Sequence, residues 1–591
     1  MQHVGFWFHE YRHFHSLHLS TKIKGDAQLG SITAENRGTS LDSWKSNPSA
    51  EVLIIGGGIN GISTLRDLAL QGVKVALVER RDFVSGSSAA SSHMIHGGVR
   101  YLEHGEFRLV KESLQERNRL LKAAPHCVRP LRTTIPIFSI FSGLLSAPAK
   151  FLTHSSGKPK ERGALLIKVG LIIYDTFGRN GGVMPRHRFL GRKKTLEQFP
   201  QMHPEAKFSA TYFDASMDSP ERLSLEVLSD ALATGNARAI NYCEATGTKD
   251  GSIVVKDHVN GETFNFKADV VINASGPWTD LTNGTLGVAT AYMGGTKGSH
   301  IVVDNPELLL ACNGNEIFFE NADGRIVLMY PLLDRVLIGS SDIRVDIAEP
   351  VSVTEEEIDY FFELVSQVFP KISVTRDQIV YRYTGVRPLP AAGDLAPGFV
   401  SRDYRIEKTL ASAENGFSLL SLIGGKWTTF RALGEHLANE TLSLLGKNRL
   451  VSTASMPIGG GKGFPQSEAE ISTWLAVHAK EIDSDRALVL LHRYGTKAEH
   501  LLRSIQESGE TRLNNKPEYS DLEIRHLVDS ESVVHLADVL FRRTTIGFRG
   551  DLDLDIVREI GQIVATELGW SKSKLDGEID SSVQEGQVGS K

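Results

Sequence analysis

The sequence predicts an α/β protein in three parts: a nucleotide-binding domain on a parallel sheet, an antiparallel-sheet cap, and a small all-α C-terminal domain. Three observations carry this. A glycine-rich turn joins a strand to a helix just after Glu51. Short strand-like runs separated by turn signals recur from Phe208 onward, and from about Gln466 to Trp570 the apolar spacing turns helical.

The first part begins with EVLIIGGGINGISTLRDLALQGVKVALVE, Glu51 to Glu79. Val52–Ile55 is a continuous apolar run of the kind that suits a strand buried on both faces. Gly56, Gly57, Gly58 and Gly61 contain the spacing G-x-G-x-x-G; Ile62–Leu70 has helical apolar spacing, and Val73–Val78 reads as a second strand ending in Glu79. Gly56 allows the tight turn, Gly58 lets the backbone approach a pyrophosphate, and Gly61 lets helix and strand pack closely. Ile59 and Asn60 sit at the helix N-terminus, where free N–H groups favour phosphate. Glu79 is placed to accept hydrogen bonds from ribose hydroxyls.

Length and composition bound the rest. A chain of 591 residues implies two or three domains, and 41% hydrophobic with 23% charged residues is ordinary for a soluble globular protein. A formal net charge of −6 without a dense Lys/Arg block gives no reason to expect nucleic-acid binding. Cys127, Cys243 and Cys312 lie far apart, which fits neither a disulfide framework nor a zinc site and suits a reducing compartment. No apolar run is long enough to span a bilayer. Residues 1–48 differ in character, with His3, His9, His13, His15 and His18 among aromatics. A metal-binding tail is one reading of them; without a completing carboxylate or cysteine, a disordered extension is the expectation. It makes only a poor transit peptide. Residues 571–591 read as a disordered polar tail.

Small residues Gly86–Ser92 could lie against a flat cofactor, and His96, Gly97, Gly98, Arg100 and Tyr101 follow in quick succession. By residue type His96 is either a structural histidine or a proton acceptor, and Arg100 is a candidate anion ligand. An amphipathic helix is expected over Phe107–Ala124. The apolar stretches Pro136–Leu152 and Ala164–Gly178, bordered by lysines, read either as interfacial helices or as core helices. Gly251–Asp257 and Glu262–Phe266 are expected in the antiparallel cap, and ADVVINASGPW returns to a buried strand turning at Gly276-Pro277. TKGSHIVV offers Lys297 and His300 on a strand. A second chemical cluster lies between residues 378 and 431. It holds Arg387 in TGVRPLP, Arg402 in SRDY, and Lys426 after Gly424-Gly425, between a strand and a helix. Such cations suit a phosphate, although single arginines are more often surface ion pairs. Asp529–Arg543 and Leu554–Leu568 are the clearest C-terminal helices.

Taken together, IIGGGINGIS, SSHMIHGGVRYLEHGEFRLVKESL, NASGPW, KGSHIVV, TGVRPLP, SRDY and GGKWTTFR closely resemble the FAD-dependent, membrane-associated glycerol-3-phosphate dehydrogenase family, in its order, from about Glu51 to about Leu568. The resemblance implies a Rossmann-like FAD-binding domain over residues 49–455, its segments (about 49–135, part of 208–300, and 378–445) interleaved with a substrate cap, and a helical domain over 456–570. It implies that Gly56, Gly58, Ile59, Asn60, Gly61, Glu79, Ser92, Gly276, Gly425 and Lys426 bind FAD. It implies His96 as base, with Arg387 beside it in catalysis, and Arg100, Tyr101, Lys297, Arg387, Arg402 and Lys426 on a phosphorylated polyol. A quinone acceptor, peripheral contact with the inner face of a bacterial membrane (or the mitochondrial inner membrane) and a homodimer are further expectations. No metal is expected. Two departures stand out: MDSPERL (Met217–Leu223) carries an extra residue, and Trp427 replaces a smaller aliphatic residue. The first leaves room for a different polyol phosphate, such as erythritol phosphate; an oxygen-using glycerol-3-phosphate oxidase is a further alternative.

Overall fold

Strand Ser49–Ile55 runs through the middle of the first sheet with Val52, Leu53 and Ile54 fully buried, so the unbroken apolar run packs on both faces. The computed structural model describes residues 37–99, 106–139, 164–178, 184–320, 326–391, 403–412 and 416–590. In the first sheet the order is Arg405–Thr409, Ser418–Ile423, Thr263–Asn273, Ser49–Ile55, Val75–Val78 and Ala237–Ile240. The last five are parallel and the first is an antiparallel edge. Helices Ile59–Leu70, Pro220–Leu232 and Phe430–Leu444 pack against it in one apolar core.

The second sheet is centred on Met293–Val303, which pairs antiparallel with Arg335–Gly339 on one side and Ile379–Pro390 on the other. It continues through Ile326–Leu332, Glu316–Glu320, Val128–Ile137 and Phe208–Met217 to the short strand Met94–Ile95. One pairing, Glu316–Glu320 with Val128–Ile137, is parallel, so the cap is a mixed sheet. Helices with their own core form the C-terminal part. Among the described residues no helix is long and apolar enough to cross a membrane.

Several expectations need correction. Strands Cys243–Lys249 and Ser252–Asp257 form a hairpin off the N-terminal half of Thr263–Asn273, so Gly251–Asp257 and Glu262–Phe266 extend the nucleotide-binding sheet and leave the cap to other strands. The disordered extension does not reach residue 48. Helix Arg37–Ser46 docks Trp44, 1% exposed, against Phe266 at 4.9 Å between ring centroids, and the Arg37 guanidinium pairs with Asp257 at 2.6 Å. The histidine-rich segment before it lies outside the described residues. Residues 572–590 form a helix instead of a disordered tail. Leu575, Ile579 and Val583, four apart, lie on one face against the C-terminal core, and the buried Glu578 carboxylate accepts from Leu536 N at 3.0 Å. Asp529–Arg543 is not one helix: Asp521–Ser530 ends, and the chain restarts at Leu536–Asp538 and a π-helical turn, Val539–Arg543.

The seating of the last helix is testable. Ile579→Ala should cost about 2–5 kcal/mol of stability through the cavity it leaves. Denaturant unfolding measures this, and an unchanged midpoint would mean that the helix contributes no packing.

Candidate active site

The glycine turn is set by contact distances. Gly56 has φ +115°, and a Cβ there would meet the Ala274 carbonyl oxygen at 2.6 Å. A Cβ on Gly61 would lie 2.0 Å from the Gly56 carbonyl oxygen, so helix Ile59–Leu70 can sit this close to its strand only with glycine at that position. Gly58 is the helix N-cap in extended conformation with no side-chain cap, which leaves first-turn N–H groups for another acceptor. One of them, on Ile59, donates to Ser88 Oγ at 3.0 Å. The Glu79 carboxylate accepts from Gly57 N at 2.7 Å and from Arg81 N at 2.9 Å, and burial raises its pKa.

These residues form one end of a cavity of about 650 Å³. It runs from Gly56, Asn60 and Glu79 past Ser87–Ala90 and Ala274–Gly276 to Thr384–Val386, and reaches Phe541 and Phe548 of the C-terminal part. An elongated dinucleotide fits it. The glycine turn and helix N-terminus suit phosphates, Gly276 turns at φ +66° with open space where a Cβ would stand, and the buried Asn60 Oδ1 in the wall has no hydrogen-bond partner among the described residues. The volume lies in the usual range for cofactor sites.

His96 lies on the loop after strand Met94–Ile95 and is half-buried. Its carbonyl accepts from Thr428 Oγ1 at 3.0 Å, which joins it to the turn carrying Gly424 (φ +83°), Gly425 (φ +106°) and Lys426. The next amide, Gly97 N, donates to Asp214 Oδ1 at 3.0 Å and contacts Tyr174 Oη at the same distance. Burial lowers the pKa of Lys426 to about 8, against the opposing pull of carboxylates at Glu106, Glu112, Asp214 and Asp403. Trp427 fixes its own turn by donating from Nε1 to the Ser88 carbonyl at 2.9 Å.

Arg387 stands opposite Thr296 on the neighbouring strand. Its Nη1 donates to the Lys297 carbonyl at 2.9 Å and Asp342 Oδ1 at 3.1 Å, and Nη2 donates to Ser340 Oγ at 3.0 Å and the Ser341 carbonyl at 2.8 Å. A Cβ on Gly298 would fall 2.0 Å from that Nη2, so the glycine makes room for the guanidinium. Lys297 is a correction. Its ammonium is buried and donates to Glu357 Oε2 at 2.7 Å and the Ser352 carbonyl at 2.6 Å, which binds helix Glu355–Val368 to the cap and withdraws the charge from substrate. Ser92 Oγ lies 2.8 Å from His300 Nε2. Arg100, Tyr101 and Arg402 lie outside the described residues.

The family model of the FAD dependent oxidoreductases matches residues 51–440. The chain belongs to that FAD-dependent oxidoreductase family. FAD is therefore the cofactor of this enzyme, in agreement with the glycine turn and the cavity beside it. The model "C-terminal domain of alpha-glycerophosphate oxidase" matches residues 451–575 of the same oxidoreductase. A glycerol-3-phosphate dehydrogenase of Synechocystis is 33% identical over 556 residues, 90% of this chain and 95% of its own. A D-erythritol 1-phosphate dehydrogenase of Brucella abortus is 31% identical, covering 84% and 94% of the two chains. In fold, the oxidoreductase is similar to the glycerol-3-phosphate dehydrogenase of Bacillus halodurans solved with FAD: TM-score 0.72, 23% identity, 95% and 98% of the two chains.

Sequence reasoning missed the residues that hold the site together. Tyr174 and Arg117 both donate to Asp214, at 2.6 and 2.8 Å, and this buried set also takes the Gly97 amide. Phe541, Arg542 and Phe548 reach the cavity from the C-terminal part, and nothing in their local pattern distinguishes them from helix residues. Glu221, within the MDSPERL departure, lines the same cavity, and burial raises its pKa to about 7.

Gly61→Ala should separate helix from strand and cost the purified enzyme most of its flavin. Full flavin content in the folded variant would contradict the geometric reading of the turn.

Proposed function

We propose that this oxidoreductase converts the secondary alcohol of sn-glycerol 3-phosphate to the ketone of dihydroxyacetone phosphate. The observation that carries the reading is the meeting of the His96 loop with the Lys426 turn, joined by the Thr428 hydroxyl to the His96 carbonyl. The glycerol-3-phosphate relatives support the same reading. Bound FAD supplies the two-electron acceptor for the hydride. His96 takes the proton of the substrate hydroxyl, and a positioned base of this kind contributes about 10²–10⁴-fold in rate. Lys426 holds the phosphate, Arg387, whose Nη hydrogens go to the Lys297 and Ser341 carbonyls, Asp342 and Ser340, frames the oxygen end of the substrate from the cap, and Arg100, Tyr101 and Arg402, outside the described residues, belong to the same proposed set. Fixing both ends brings the alcohol carbon to attack distance. Gly56, Gly58, Gly61 and Glu79 hold the ADP half of the cofactor, and Ser92, Gly276 and Gly425 border the remainder.

A membrane quinone is the proposed acceptor that returns the enzyme to its oxidised state. Helix Ala164–Gly178 supports contact with a bilayer surface: Leu165, Val169 and Ile172 are 45, 47 and 50% exposed along one face, while Leu171 and Tyr174 are buried on the other. A peripheral position on the inner face of a bacterial membrane, or on the mitochondrial inner membrane, follows from that reading. A second reading, a dehydrogenase for a longer polyol phosphate, is favoured by the D-erythritol 1-phosphate relative and by Glu221 in the cavity wall. The oxidase description of the matched C-terminal model is the one observation favouring oxygen as acceptor.

Two results test this. His96→Ala should keep its FAD yet slow flavin reduction by glycerol 3-phosphate about 10²–10⁴-fold in stopped flow; reduction at the wild-type rate removes His96 from the mechanism. Because its pKa is lowered to about 8, Lys426 should lose its charge as pH rises through that value, so KM should climb on the alkaline side. Lys426→Met should show a high KM without that limb. A limb that persists in the variant belongs to another group.

A further inference from the structure

We infer that His300 is a positioning residue whose imidazole holds the Ser92 hydroxyl so that it donates one directed hydrogen bond to the bound flavin. The inference rests on the placement of Ser92 beside the cofactor proposed above. Ala90 and His93, on either side of Ser92 in the chain, both line the cavity.

The observations form a built arrangement. His300 lies on the central cap strand, paired across to Gly339 on one neighbour and Tyr383 on the other. Its ring stacks on Tyr383 at 4.9 Å between centroids and 15° between planes, and a Cβ on Gly339 would fall 2.2 Å from its Cδ2. The ring is thus held from both sides, and Nε2 lies 2.8 Å from Ser92 Oγ. Two more rings of the cap hold the same segment by its backbone: Tyr383 donates to the Ser91 carbonyl at 2.7 Å, and Tyr330 to the Ser92 carbonyl at 2.8 Å. Three side chains of the cap sheet therefore fix a two-residue piece of the flavin-side loop.

Burial holds His300 neutral, and the neighbouring Arg387 and His93 push the same way. A neutral imidazole carries one N–H. His300 Nδ1 is buried and has no hydrogen-bond partner among the described residues, and a bare lone pair is tolerated more readily than a bare N–H. The proton therefore sits on Nε2 and is donated to Ser92 Oγ. The serine's own proton is then turned away from the ring, toward the cavity side of its segment. A hydroxyl donor strengthens its bond as its acceptor gains negative charge, so it favours the reduced cofactor.

The test is a double-mutant cycle read by flavin midpoint potential, with flavin content and melting temperature as checks on folding. Ser92→Ala and His300→Phe, the second keeping a ring against Tyr383, should each shift the oxidised-to-reduced equilibrium about tenfold toward oxidised, ~30 mV for a two-electron couple. The double variant should shift no further than either single one. His300→Gln, which restores an N–H donor, should recover most of the potential, and His300→Leu, which also lacks a donor, takes the place of His300→Phe if that variant does not fold. A normal potential in His300→Phe with a shifted Ser92→Ala overturns the positioning role and leaves Ser92 beside the flavin. A normal potential in Ser92→Ala removes Ser92 from the flavin and ends both readings. Additive shifts, or a His300→Gln variant as low as His300→Phe, also overturn the inference.

Discussion

The contact between the Gly56 carbonyl and the Cα of Gly61 is the constraint on which the rest of the molecule depends. With 2.0 Å available where a Cβ would stand, the first helix lies against its strand and presents its N-terminus at the carboxyl end of the parallel sheet. Strand Thr263–Asn273 then delivers Ala274–Gly276 to the opposite wall, and Ser418–Ile423 delivers the Gly424-Gly425 turn. The first two strand ends border one cavity, and the third brings its turn to the His96 loop, although all three lie far apart in the chain.

The C-terminal helices are held at that cavity by buried charge. Asp82, three residues past Glu79, accepts from both Arg542 and Arg543 of the C-terminal part, and the arginines hold its carboxyl far below its ordinary pKa. Arg222 forms a forked pair with Glu531 nearby. Removing one partner from such a buried pair typically costs about 3–5 kcal/mol, because the other charge is left uncompensated. The helical part is therefore tied to the loop that borders the cavity.

Features carried by local spacing were legible in the sequence. The first strand–glycine–helix unit, the second one at Gly424, and helix Ala164–Gly178 all stand where their patterns put them, because each is decided by residues within one or two turns. Features decided by distant partners were not. Lys297 looks like a substrate cation until Glu357 arrives from 60 residues away. Helix Lys572–Ser590 is polar enough to resemble a tail, and its Leu575–Ile579–Val583 stripe gains meaning only against the core it covers. The Ser92–His300 bond spans 208 residues, and a short strand spacing cannot announce it. Long-range side-chain pairing, which tertiary packing alone establishes, separates the readable part from the rest.

The most direct measurement is the visible absorbance of the purified protein during anaerobic titration with glycerol 3-phosphate and, separately, with an erythritol phosphate. A yellow protein is expected, whose flavin bleaches stoichiometrically with glycerol 3-phosphate and gives dihydroxyacetone phosphate as product. A colourless protein that cannot be reconstituted with FAD, or a flavin that neither compound bleaches, would contradict this expectation.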